Sequence, residues 1–136
     1  MQRARRVCID YTGAGVGLGD LLAERFGAAT SGSPYGKVEL CHFTSGLKEE
    51  LCPKLRAALE RRKVWLPASS VIREDLHSMH RVVSQHGHIS YRASHTADGH
   101  SDRCTALALA LRSSESTPVL AAASTVGRKY AFVARR

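Results

Sequence analysis

The stretch that decides the fold is Val7-Cys8-Ile9-Asp10-Tyr11-Thr12-Gly13-Ala14-Gly15-Val16-Gly17-Leu18-Gly19. Three apolar residues closed by an acid and then by glycines read as a buried strand feeding a glycine-rich turn. Asp20 suits the amino end of a helix over residues 20–26, and Gly27 stands where such a helix would stop.

Outward from there the chain keeps alternating. Residues 28–36, rich in Ser, Gly and Pro, form a surface loop, and residues 37–43 a second strand. From Thr44 onward Leu47, Leu51, Leu55, Ala58 and Leu59 recur at helical spacing with Lys, Glu and Arg between them. Pro53 lies inside that pattern, so the helix either kinks there or begins near Cys52 with Pro53 in its first turn. Val64-Trp65-Leu66 before Pro67 reads as a short strand, and residues 71–83 as an amphipathic helix through Ile72, Leu76, Met79 and Val83. Residues 87–94 read as an extended hairpin segment. The run Asp98-Gly99-His100-Ser101-Asp102 then introduces an apolar helix over residues 104–111, which belongs in the interior. Residues 1–112 are thus one domain, and residues 113–136 a C-terminal tail that is either disordered or carries a weak strand at 130–133. The alternation predicts an α/β fold, a mostly parallel sheet flanked by helices.

Composition narrows the function. At 136 residues the chain fits one domain with one core. Twenty Lys and Arg against twelve Asp and Glu leave a charge of +8, which favours a densely negative partner, nucleic acid most simply, over an acidic substrate. The basic residues cluster at Arg3, Arg5 and Arg6, at Arg61, Arg62 and Lys63, and at Arg128, Lys129, Arg135 and Arg136, where they also serve solubility. Cys8, Cys41, Cys52 and Cys104 show no close pairing and sit in or beside apolar segments, as reduced core cysteines do. No apolar run approaches the roughly 20 residues of a membrane span, and the start lacks a signal-peptide core, so a cytoplasmic protein is expected.

Several constellations can be weighed for chemistry. The glycine run misses G-x-G-x-x-G, because Leu18 stands where the last glycine should, and no Gly-Lys-Ser or Gly-Lys-Thr follows. Seven histidines, with His77 near His80 and His86 near His88, invite a zinc reading, but the short-spaced Cys pairs of structural zinc sites are absent. Asp10 is more telling. It closes a buried strand at its carboxyl end, the edge at which open α/β sheets place ligands. Asp102, in the first turn of the buried helix, would reach the same edge. Each also has a plain structural role, Asp10 as a turn former and Asp102 as a favourable charge at a helix start.

Together these features resemble the RNase H-like nuclease domain of phage large terminase subunits, with the closest likeness to terminases of Mu-like prophages. The likeness is carried by Cys-Ile-Asp-Tyr-Thr-Gly-Ala-Gly at 8–15, His-Phe-Thr-Ser-Gly-Leu-Lys at 42–48, Ala-Leu-Glu at 58–60, and Asp-Gly-His-Ser-Asp-Arg with Ala-Leu-Ala-Leu-Ala at 98–110. Order and spacing carry it over residues 5–112. The resemblance implies a nuclease that cuts concatemeric double-stranded DNA during packaging, with an acidic cluster binding Mg²⁺ or Mn²⁺. Asp10 and Asp102 would be catalytic residues and metal ligands. Lys48 and Arg103 flank that edge as backbone-phosphate contacts, and His100 would touch a phosphate or a metal-bound water. Asp20, Asp75 and Asp98 are weaker candidates for a further ligand.

The family's first catalytic Asp lies on a strand upstream of this one, and its ATPase domain carries a phosphate loop. The resemblance therefore implies a partial domain, truncated at its N-terminal strands. Three functional expectations follow: a metal-dependent DNA endonuclease domain, with the terminase small subunit and portal as further partners; a catalytically inactive prophage remnant that binds DNA or a packaging partner; and a pure interaction module.

Overall fold

The computed structural model describes residues 4–30, 36–93 and 101–115. Strand β1 (Val7–Asp10) leads into helix α1 (Gly15–Phe26) and strand β2 (Val38–Cys41), a β-α-β unit. The strands pair in parallel with Asp10 opposite Cys41 and Cys8 opposite Glu39, and the ladder is extended by Tyr11 N–H to the Cys41 carbonyl at 2.7 Å. On the far edge of β2 the chain at Ala28 makes a further parallel bridge to Val38, so β2 lies inside and β1 beside it.

Helix α1 starts five residues before the expected Asp20, because two of the four glycines serve packing rather than turning. A side chain on Gly15 would collide with the Asp10 carbonyl oxygen, and one on Gly19 would meet the Tyr11 ring at 2.7 Å and Leu40 at 3.0 Å. Gly17 has open space around it. Gly13 alone needs its flexibility for the turn, with φ +52°.

Helix α2 (Ser45–Glu60) runs unbroken through Pro53, whose side is solvent-exposed. The Thr44 hydroxyl accepts from Leu47 N–H at 3.3 Å, so the cap fixes the start there and not near Cys52. Its apolar stripe, Leu51, Leu55 and Ala58, packs with Cys41 and with Cys104, Ala108, Leu109 and Leu111 of helix α4 (Asp102–Glu115). Burying Leu51 and Leu55 contributes about 2 kcal/mol each. The sheet thus carries α1 on its Leu40 face and α2 with α4 on its Cys41 face.

Two expected elements change. Residues 64–66 form no strand: Val64 tucks into the core, while Trp65 is 71% exposed, and Pro67 removes a backbone donor beside it. Helix α3 is shorter than expected, Ser70–Ser78, capped by the Ser69 hydroxyl on Ile72 N–H at 3.4 Å. Residues 79–83 leave the helix as β3 (Met79–Val83), antiparallel to β4 (Ile89–Ala93) around a turn at Gly87, φ +79°. Parallel and antiparallel pairing are therefore both present. Residues 94–100 and 116–136, including His95, Asp98, His100, Arg128, Lys129, Arg135, Arg136 and the expected strand at 130–133, lie outside the described residues.

Candidate metal site at the sheet edge

Because side chains alternate along a strand, Cys8 and Asp10 share one face of β1, and Glu39 and Cys41 the same face of β2. Helix α4 lies across this face. Its residues Asp102, Thr105, Ala106 and Leu109, spaced for one side of a helix, join Cys8, Ile9 and Asp10 around an open cavity of about 340 Å³. The two acids that sequence pattern singled out, 92 positions apart, thus line one cavity. Asp10 is half-buried and accepts from the Thr12 hydroxyl at 2.5 Å; Asp102 is exposed. Among the described residues neither carboxylate is ion-paired, whereas Glu39, Glu50, Glu60 and Glu115 all are.

The other end of the same face is compensated. Glu39, 14% exposed, accepts from Arg112 Nε at 2.7 Å, from Arg6 Nε at 3.0 Å and from the Cys8 thiol at 3.4 Å. Burial pushes its carboxyl up, but Arg112, Cys8 and Arg6 outweigh that and hold it below the ordinary glutamate value. Cys8 is pushed far up, first by hydrogen bonding to Cys41 and then by burial, and the same bond lowers Cys41. All four cysteines are free, and burial pushes Cys104 up to about 12.

Cys8, Glu39 and Cys41 bring three donor atoms within 4.8 Å of one another, a grouping the sequence reading missed. They suit Mg²⁺ or Mn²⁺ poorly. Two donors are thiols, and the carboxylate is already held by two guanidinium charges that would repel a cation. Asp10 and Asp102 offer what such ions prefer, unpaired hard oxygens beside an open cavity. Among the described residues no three-donor grouping includes a histidine; His88 faces Glu49 at 3.6 Å.

The remaining candidates separate. Lys48 sits in the first turn of α2, close behind the β2 end, with its ammonium 5.4 Å from the Phe43 ring centre. Arg103 is exposed beside Asp102. Asp20 accepts from the Tyr11 hydroxyl at 2.6 Å within α1, and Asp75 accepts from Cys104 N–H at 2.8 Å; neither lines the cavity. Arg61, Arg62 and Lys63 follow the carboxyl end of α2, a helix of 16 residues and so about 24 Å long, away from the edge where Lys48 stands. Arg6 is taken up by Glu39.

An α/β unit with two acids at the carboxyl edge of its parallel strands, neither ion-paired among the described residues, is the class this geometry defines. Comparison with known families narrows it: residues 1–114 match the family model described as the terminase RNaseH-like domain. The chain belongs to that family, and its fold is RNase H-like. No curated protein and no solved structure matches it. No helix among the described residues is long and apolar enough to cross a membrane.

Proposed function

We propose that this chain is the DNA-cleaving part of a phage or prophage packaging terminase, and that Asp10 and Asp102 together bind a divalent metal, Mg²⁺ or Mn²⁺. The observation that carries the reading is the convergence of two unpaired carboxylates on one open cavity in a chain of this family. When bound, such a metal activates water and stabilises the charge that develops on a phosphodiester. The chain's own groups do the rest. Asp10, with one oxygen held by Thr12, is fixed on a strand, and Asp102 faces it from a helix. Lys48 and Arg103 hold the duplex backbone on either side, which gives affinity without sequence preference. Helices α1 and α2 follow the carboxyl ends of their strands, and α4 begins at Asp102 beside Asp10, so three amino termini add partial positive charge for phosphates. The terminase small subunit and the portal are the further partners this role implies.

The test is plasmid cleavage with Mn²⁺ by the full chain, Asp10→Asn and Asp102→Asn. Nicking by the wild type that disappears in both variants is expected. A folded wild type that never cuts would overturn the nuclease assignment. Salt-sensitive DNA binding without cutting would then identify the inactive, DNA-binding alternative.

A further inference from the structure

The amino end of α4 is capped from another helix. Ser101 stands where a capping side chain belongs, is 2% exposed, and has φ +59°, a left-handed backbone that residues with side chains seldom adopt. Its carbonyl accepts the first helical bond from Thr105 N–H at 3.0 Å, but its hydroxyl turns to Ser78. Ser78 has one hydroxyl proton and gives it to the Asp75 carbonyl at 2.7 Å, so Ser101 is the donor to Ser78. The acceptor for the helix's own orphan N–H comes from α3: Asp75 Oδ2 takes Cys104 N–H at 2.8 Å.

We propose that Asp75 is a positioning residue for the candidate site, setting Asp102 across the cavity from Asp10. The inference rests on the reading of Asp10 and Asp102 as metal ligands. Two residues along a helix turn about 200°, so Cys104 and Asp102 lie on opposite sides of the first turn. Cys104 is buried in the core and Asp102 lines the cavity. A bond that fixes the Cys104 amide therefore fixes the rotation of that turn, and with it the direction of the Asp102 carboxylate. Two contacts bridging 23 and 29 positions hold the turn, which an isolated helix end would leave to fray.

The experiment measures Mn²⁺ affinity, from the electron paramagnetic resonance of free Mn²⁺, for the full chain and for Asp102→Asn, Asp75→Ala, Asp75→Asn and Ser69→Ala. All are compared at a temperature where circular dichroism shows them folded. Asp75→Ala should weaken binding about tenfold, the usual scale for groups that orient a ligand. Asp75→Asn, which keeps an acceptor oxygen, should regain most of it. Ser69→Ala removes the cap at the other end of α3 and should destabilise the chain without changing Mn²⁺ affinity. Should Asp75→Ala fail to fold, Ser78→Ala removes the contact to Ser101 and carries the same comparison with a smaller loss. Asp75→Ala that binds as the wild type does, while Asp102→Asn is weakened, would overturn the positioning role and leave the site reading intact. Equal losses in Asp75→Ala and Ser69→Ala would overturn it too, as a mere stability effect. Unchanged affinity in Asp102→Asn would strike the site reading itself and take the inference with it.

Discussion

Two ends of one sheet face, two residues apart along the same strands, treat negative charge in opposite ways. At the Cys8–Glu39 end the carboxylate is enclosed and met by two guanidiniums; at the Asp10–Cys41 end the carboxylates of Asp10 and Asp102 line an open cavity with no ion partner among the described residues. The three-donor grouping takes Cys8 and Glu39 from the first end and Cys41 from the second, while the proposed metal chemistry lies with Asp10 and Asp102. On the proposed assignment, the charge left uncompensated around ligand atoms is a better guide to a metal than their proximity.

The comparison breaks most visibly at Glu39. Glu39→Ala takes from Arg6 its carboxylate and leaves Arg112 with Glu50 at 3.5 Å, and should cost about 2 kcal/mol in chemical denaturation, less than a fully enclosed pair because all three side chains keep some solvent. A loss under about 1 kcal/mol would mean the knot is no better than a surface pair. At the other end the expected pattern reverses. Mn²⁺ at about 100 times its Kd should stabilise the wild type by about 2.7 kcal/mol, and Asp10→Asn and Asp102→Asn should lose nearly all of that gain. Without metal the same two variants should lose no more than about 1 kcal/mol, from the Asp102 charge at the start of α4 and the Thr12 bond to Asp10. Cys8→Ser serves as the counter-test: if it, rather than Asp10→Asn, abolished the Mn²⁺ effect, the assignment of the two ends would be reversed.

Acid should separate the ends more gently. Glu39 has its folded value held below the ordinary 4.5, so its contribution is in place above that value and drains away as pH falls through the lowered one. Wild-type stability should drop in that acid window, and Glu39→Gln should flatten the drop. The smallest effect belongs to Thr12→Val. It removes one hydrogen bond from Asp10 and should weaken Mn²⁺ binding about threefold, in line with a net bond of roughly 0.5–1.5 kcal/mol.

The open end was legible in the sequence and the closed end was not. Asp10 and Asp102 are each announced locally, one by ending an apolar strand and the other by opening an apolar helix, and their meeting follows from the order of elements. The Glu39 knot joins residues 33 and 73 positions away, and nothing near Arg6 or Arg112 marks them as its partners. Residues 79–83 misled because Met79 and Val83 extend the helical stripe of Ile72 and Leu76, while the same segment alternates well enough for a strand. The pairing to residues 89–93 decides it. The start of α1 misled for a different reason: glycine is a poor helix former, and the close packing against Asp10, Tyr11 and Leu40 that makes it necessary shows only in the folded chain.

That closeness gives the glycine run an uneven tolerance to change. In a saturation library, position 17 should accept Ala and larger polar residues, and even gain from them, since a helical glycine is replaced in open space. Position 13 should admit Asn alongside Gly. Position 15 should stay glycine in every functional clone, because any larger residue pushes α1 off the backbone of the residue that carries the Asp10 carboxylate. Four identical letters in the sequence would then appear as columns of very different depth.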